Sequence, residues 1–331
     1  MSRPLPFWSA AAATALVLAL AALASLFVGR GEMPAAMTAQ ALLSSEPSLA
    51  KVVVFDLRLP RTLLALLIGA ALGLSGAALQ GLLRNPLAEP GLLGVTAGAA
   101  LGAVVAIYFG LSAAFALAVP LLGLLGAMGA GALAFAFGRG GTLSMILAGA
   151  AVSSLMGALL ALALNFAPSP YAAYEITTWL LGSLTDRSWS HLWLAAPFVI
   201  VGGAMLAATA RALDALTLGE VQAASLGIDL ERTRLLALVG VGLAVGAATS
   251  VAGSIGFIGL VAPHLVRPFV GHQPSRMMLP SALAGAALLL AADIAVRLLP
   301  TNTELRLGVL TSLIGAPFFF ALVLRLRRLA P

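Results

Sequence analysis

Asp293 and Arg297 stand one helical turn apart inside an otherwise apolar stretch, so a carboxylate and a guanidinium share one helix face. Ionisable groups inside a bilayer are costly and usually functional, which makes the pair a candidate proton or ion relay. The pair lies near the end of its stretch, just before Pro300, and no other acid falls within an apolar run. A relay at the midplane would show further carboxylates, so a neutralised interfacial ion pair is the favoured reading. Nucleotide chemistry is excluded by spacing. A P-loop needs Gly-x-x-x-x-Gly-Lys-Ser/Thr to cradle phosphates, and the single lysine, Lys51, follows Leu49-Ala50 and precedes Val52-Val53-Val54. The chain has no cysteine, which removes disulfides, thiolate metal sites and thiol nucleophiles. Any movement of a solute across a membrane must therefore draw on an ion gradient or on a partner protein.

The elements that position these residues are membrane-grade. Hydrophobic residues make up 61% of the 331 and charged ones 9%, against roughly a quarter charged in soluble domains. A span needs about 20 apolar residues. Apolar runs between charges and Pro, Gly or Asn clusters predict about ten spans, near 8–28, 60–81, 92–109, 113–137, 142–166, 191–210, 235–253, 257–270, 278–299 and 306–324. The fold class is thus all-α and polytopic, one transmembrane domain over 1–331. Few aromatics and 35 glycines argue for closely packed helices and against a β-barrel with aromatic girdles. The first run, preceded by Arg3, resembles a secretory signal, but its length favours a retained span. Gly253, Gly256 and Gly259 interrupt the run from Leu235 to Val270, which reads as a full helix followed by a short or re-entrant one ending near Arg267. Gly-x-x-x-Gly spacings at Gly69/Gly73, Gly94/Gly98/Gly102 and Gly242/Gly246 read as helix packing.

Basic residues set the orientation. Eleven, among them Arg3, Arg84, Arg139, Arg211, Arg232, Arg234 and the Arg325-Leu326-Arg327-Arg328 end, face the cytoplasm if the N-terminus does. The other seven, Arg30, Lys51, Arg58, Arg61, Arg187, Arg297 and Arg306, lie outside or near the outer surface. Both termini are then cytoplasmic. The net charge of +6 reports this orientation, and nucleic acid binding is not expected. The largest polar break, at 212–230, is cytoplasmic. Within it Leu218, Val221, Ala224 and Ser225 recur at helical spacing with Gly227 as a C-cap. A short amphipathic helix outside the membrane needs a surface to cover. Arg61-Thr62-Leu63-Leu64 and Arg232-Thr233-Arg234-Leu235-Leu236 hint at an inverted repeat.

Several motifs carry a family resemblance. Arg58-Leu59-Pro60-Arg61, Ser75-Gly76, Gln80 and Arg84-Asn85-Pro86-Leu87-Ala88-Glu89-Pro90-Gly91-Leu92-Leu93-Gly94 come first. Leu218-Gly219-Glu220, Leu226-Gly227, Gly256 through Arg267, Ala292-Asp293 and Leu313-Ile314-Gly315-Ala316-Pro317-Phe318 follow in order. From about residue 52 onward, the chain resembles the membrane subunits of ABC importers for cobalamin, haem and ferric siderophores.

That resemblance implies a ten-helix permease in the bacterial inner membrane, paired with a second copy and bathed in lipid. Its partners are two cytoplasmic ATP-binding subunits and a periplasmic substrate-binding protein. ATP and Mg belong to the partner ATPase; the permease binds no metal or cofactor of its own and is not itself an enzyme. Arginines Arg58, Arg61 and Arg297 match the family's outer docking positions, where exposed charges steer and orient the binding protein. Leu218, Gly219, Glu220, Ala224, Leu226 and Gly227 match the coupling helix, and Asn85, Leu87, Thr142 and Ser144 the cytoplasmic gate. Thr177 to Leu184 resembles a short outer helix beside the cargo entrance. Small and apolar side chains should line the route between two copies. Haem is the expected cargo, because the stretches Asn85 to Gly94, Thr178 to Leu184 and Gly227 to Arg232 look closest to haem permeases; ferric siderophore and cobalamin are the alternatives. His264 then reads as structural or gating rather than a haem ligand, since a route must release its cargo. His272 reads as a solvated loop residue, and His191, beside Trp189 and Trp193, as an interface anchor. The rival class is an ion-coupled carrier using Asp293 and Arg297.

Overall fold

The computed structural model describes residues 7–29, 33–115, 117–300 and 305–329, with side chains from 14 to 324 within those ranges. Arg3 and Arg30 lie outside the described residues, as do the side chains of Arg325, Arg327 and Arg328. All regular structure among the described residues is helical. In chain order these are α1 (Phe7–Phe27), α2 (Ala35–Leu43), α3 (Leu49–Val52), α4 (Leu59–Leu82), α5 (Val95–Tyr108), α6 (Leu111–Ala114), α7 (Ala118–Phe137) and α8 (Thr142–Asn165). There follow α9 (Pro170–Leu180), α10 (Trp189–Ala208), α11 (Ala210–Leu216), α12 (Glu220–Ser225), α13 (Leu230–Ala252), α14 (Ile258–Val270), α15 (Pro274–Leu298) and α16 (Leu307–Leu329). A π-helical turn, Val53–Arg58, joins α3 to α4 without a break, and a 3-10 turn, Pro90–Leu93, leads into α5. A helix satisfies its own backbone, which is what an apolar surrounding demands.

Each of the ten apolar segments contains a helix, but among the described residues seven helices are long and apolar enough to cross a membrane. The shorter apolar stretches are Thr14–Phe27, Val95–Tyr108 and Ile258–Val270. At 1.5 Å per residue, α14 reaches only about 20 Å, in keeping with the short-helix expectation. The break before it is built at Gly253, whose φ of 74° belongs to the left-handed region and whose missing side chain leaves room for the Trp179 carbonyl.

Helices α4 and α13 form the centre, with 72% and 78% of their apolar windows buried, against 28% for α8 and 22% for α16. The two run in opposite directions: Arg61 at the start of α4 meets Asp293, whereas Arg234 at the start of α13 meets Glu220 at the far end. Small residues allow α4 to be enclosed. A methyl on Gly73 would overlap the Ser281 carbonyl of α15, and one on Gly76 the Gly259 carbonyl of α14. Gly98 and Gly102 meet α7 at Gly126 and Leu122, and Gly242 and Gly246 face Met128 and Ala127. The Gly-x-x-x-Gly spacings thus sit at helix crossings.

Gly76→Val is expected to cost about 3 kcal/mol or more, because backbone and not a flexible side chain blocks the added atoms. Gly129, with open space around it, should accept Ala within about 0.5 kcal/mol. Thermal unfolding of the two variants in one detergent measures the contrast.

Candidate functional site

Two polar clusters occupy opposite ends of the apolar bundle. At one end Asp293, fully buried on α15, lies between two guanidiniums. Arg61 of α4 donates Nε to Asp293 Oδ1 at 2.9 Å, and Arg297 places Nη2 2.9 Å from Oδ2. Arg297 also donates Nη1 to the carbonyls of Ser25 (2.9 Å) and Val28 (2.7 Å), and Arg58 donates Nη1 to Leu26 O at 2.7 Å. These carbonyls lie at and just beyond the C-terminal end of α1, where the helix dipole attracts positive charge. Ser25 and Thr62 complete the contact through their hydroxyls, 2.8 Å apart. Helix α1 is thereby fastened to α4 and α15 by charge-assisted bonds.

The expectation of three exposed docking arginines needs correction. Arg58 and Arg297 are 7% and 6% exposed, and Arg61 is half-buried. A buried cation must find partners, and here α1 and Asp293 supply them. Together the three line a cavity of about 520 Å³ instead of a flat charged surface. The Asp293–Arg297 pair is likewise larger than sequence spacing suggested, because Arg61 joins it from 232 positions away.

At the opposite end, Glu220 opens α12 after Gly219. Its Oε1 accepts from Thr142 Oγ1 at 2.9 Å, and its Oε2 lies 2.9 Å from Arg234 Nη2. Partial burial raises the Glu220 carboxyl, but the hydrogen bonds from Thr142 and Arg234 and the charges of Arg234 and Arg84 outweigh it, holding the group below the usual carboxylate range. One carboxylate therefore ties α12 to the first residue of α8 and to the fifth residue of α13. With Glu220 turned inward and Ala223 buried, the other face of α12 and its flanks are left open: Leu218, Val221 and Leu226 are 62%, 78% and 64% exposed, and Ala224 is exposed with them. Gly227, at φ 82°, donates its N–H to Ala224 O at 2.9 Å and ends the helix.

The loop holding Asn85 and Leu87 lies on the same side. Asn85 Oδ1 accepts from the Leu87 N–H at 2.9 Å, a local turn. His264 Nε2 donates to Pro86 O at 2.8 Å, and Arg267 Nη2 donates to Gln80 Oε1 at 2.8 Å, so α14 clamps both the loop and the end of α4. Thr142 is thus joined to the α12 cluster, Asn85 and Leu87 to α14, and Ser144 sits one turn into α8. Two residues escaped sequence reasoning. Asp214 of α11 accepts from Ser275 N–H (2.9 Å), Ser275 Oγ (2.7 Å) and Gln273 (2.8 Å), capping α15 from outside. Burial raises its carboxyl, but these bonds and the Arg276 charge bring it below the usual range. Glu89 is raised by burial against a backbone hydrogen bond from Phe257, linking the loop that holds Asn85 and Leu87 to the break before α14. Neither shows a spacing that announces it.

Elsewhere, His191 Nδ1 accepts from the Ser188 N–H at 3.3 Å, Trp189 stacks on Trp193, and Trp189 Nε1 donates to Phe55 O at 2.9 Å. His272 is exposed. The turn after α9 pins two other elements: Ser183 N–H donates to Ala252 O at 2.7 Å, and Gly308 N–H to Gly182 O at 3.3 Å. No metal-binding group of three acidic, histidine or cysteine residues occurs among the described residues.

The model of the FecCD transport family matches residues 17–325. The cobalamin import system permease protein BtuC of Halobacterium salinarum is 42% identical over 292 residues, covering 84% of this chain and 74% of that one. The hemin transport system permease protein HmuU of Yersinia pestis is 38% identical over 278 residues, covering 82% of this chain and 83% of that one. A solved structure described as an inward-facing conformation of a metal-chelate type ABC transporter superposes with a TM-score of 0.85 at 34% identity, covering 96% of this chain and 99% of that one.

Asp293→Asn would leave Arg61 and Arg297 buried around a neutral amide. A loss of about 3–5 kcal/mol is expected, read as a lower unfolding temperature in detergent, with partial recovery when Arg297→Met is added.

Proposed function

The chain belongs to the FecCD transport family and is a permease subunit of an ABC importer of the cobalamin, haem and iron-chelate type, and we propose that its α12 is the point at which a separate ATPase drives it. The observation that carries this reading is the outward apolar patch on α12 and its flanks, Val221 with Leu218 and Leu226 on either side, on a helix whose other side is tied through Glu220 to α8 and α13. A surface helix of this kind fits a hydrophobic cleft of a partner. Push or pull on it is delivered by one carboxylate to two long helices. Because Thr142 of the expected gate receives that carboxylate directly, motion of α12 and opening of the gate are one event.

On this reading the α12 end is cytoplasmic, the arginine end is periplasmic, and ten helices cross or enter the bacterial inner membrane. Two copies form the translocation route between them, joined by two ATP-binding subunits that hold ATP and Mg. The arginine-lined cavity receives an acidic side chain of the periplasmic substrate-binding protein, with docking by insertion. The leading cargo is haem, supported by the motif likeness noted above and by the hemin permease relative; ferric siderophore and cobalamin are served by the same architecture.

The ion-coupled alternative is less favoured by geometry. Both Asp293 oxygens face guanidiniums within 2.9 Å, and a relay would first have to break two ion pairs.

Glu220→Ala is expected to leave a folded protein whose ATPase turns over without cargo uptake. Proteoliposomes with the ATPase subunit, internal ATP and loaded binding protein report both rates. Uptake driven by a pH gradient alone, with no ATPase added, would reject the importer reading.

Arg61→Gln is expected to weaken capture of the loaded binding protein, most at low ionic strength, where screening is least. Equal capture by the variant and the unaltered permease in dilute salt would rule out the arginine cavity as the docking face.

A further inference from the structure

Behind α9 lies a second cavity of about 320 Å³, which shares Thr185, Asp186 and Arg187 with the arginine-lined one. Its far wall is apolar and aromatic, with Ile107, Val119 and Trp179, and Arg306 stands at its rim. Arg187 therefore occupies the junction of the two spaces. Its situation differs from that of the other cavity arginines. Arg58 is bonded to Leu26, Arg61 to Asp293, and Arg297 to Asp293, Ser25 and Val28. Arg187 makes no hydrogen bond and no ion pair among the described residues, and its Nε is sealed from water without a partner. The neighbouring Asp186 is exposed, and the remaining acid in this cavity, Glu175, is half-buried on α9. Burial lowers the Arg187 guanidinium, with Asp186 opposing that shift and the Arg306 charge adding to it. A guanidinium stays protonated under such conditions.

A partly desolvated cation with free donors costs free energy until an anion meets it. The guanidinium fork is shaped for a carboxylate. We propose that Arg187 is a binding residue for a carboxylate arm of the cargo, which it receives at the entrance as the cargo leaves the binding protein. This rests on the importer reading and deepens it. The cavity favours the cargo over a docking side chain as the source: its volume, with that apolar and aromatic wall on one side and the cationic Arg187 and Arg306 among Thr178, Ser183, Thr185 and His191 on the other, has the character of a small-molecule subsite. It admits an acidic arm of the cargo, beside the arginine-lined cavity that receives the binding protein.

Two measurements on the full chain test the assignment. In detergent, citrate serves as the carboxylate probe, compared with sodium chloride at matched ionic strength. Citrate is expected to raise the unfolding temperature of the unaltered protein by about 3 °C, that of Arg187→Lys by less, and that of Arg187→Gln not at all. An equal rise in Arg187→Gln overturns the site. In the assembled importer, uptake of haem is compared with uptake of its dimethyl ester, in which both acid groups are masked. Arg187→Gln is expected to lower haem uptake about tenfold, the loss of one charge-assisted bond, and to leave ester uptake at the unaltered rate. Equal haem uptake by the variant overturns the proposal. A parallel fall in capture of cargo-free binding protein overturns the cargo assignment by moving the carboxylate to that partner. Absence of ATP-dependent uptake in the unaltered importer would instead count against the importer reading, and the citrate shift would still decide the fate of Arg187.

Discussion

Close backbone approach around α4 is the constraint from which the remaining architecture follows. Gly69 and Gly73 let α15 reach the α4 backbone on one side, and Gly76 lets α14 reach it on another. In an apolar surrounding there is little hydrophobic gain from helix contact, so dispersion between closely fitted surfaces has to hold the helices together. Once α4 is enclosed in this way, its own ends have nowhere to place polar groups except against the neighbouring helix termini. Arg58 and Arg61 at its start therefore meet the end of α1 and Asp293, and Gln80 near its finish meets Arg267 and Leu260. The charges serve as fasteners at the rims of a packed middle. Buried ion pairs contribute little net stability compared with apolar substitutes, but they fix which element sits where.

The same division explains how force could cross the bundle. Close-packed interiors transmit displacement instead of absorbing it. Glu220 joins α12 to the starts of α8 and α13, and α13 runs from there to Ala252, whose carbonyl accepts from Ser183 beyond α9. Gly253 and Gly182 lie against one another, and Gly308 at the start of α16 fits between the Leu181 and Ser254 carbonyls. One central helix thus links the Glu220 carboxylate at the α12 end to the turn after α9. On the proposed function, that helix is the shortest mechanical route from motor to mouth.

Much of this was legible in the sequence, for physical reasons. Apolar runs long enough for a span can hardly be anything but helix, and the amphipathic period from Leu218 to Ser225 announced α12 because a small helix outside the membrane must be two-faced. The glycines from 253 to 259 announced the break before α14. What could not be read were contacts between residues far apart in the chain. Nothing near Arg61 marks Asp293 as its partner, and nothing around Arg58 reveals that it bonds a carbonyl of α1. A run of outer arginines looks the same in sequence whether it decorates a surface or lines a cavity; only the path of α1 decides between them. Asp214 was hidden for the same reason, since it caps a helix that begins 60 residues later.

Cargo choice illustrates a further consequence of this economy. Permeases named for cobalamin and for hemin resemble the chain at 42% and 38% identity over nearly the same share of it, so overall likeness does not single out one such ligand. On the proposed function, a route built from small, apolar helix faces would hold no cargo tightly, which suits release. Discrimination in such a system falls to the few groups that are polar, unpaired and reachable from the entrance. Among the arginines lining the two cavities, those held by α1 and Asp293 have donors committed to the fold, and changing one disturbs helix packing. Arg187 carries no such commitment. A residue free of structural duty can change with the ligand without unfolding the permease, and selection of an acidic arm at that position would add a preference while leaving the wall beyond it indifferent.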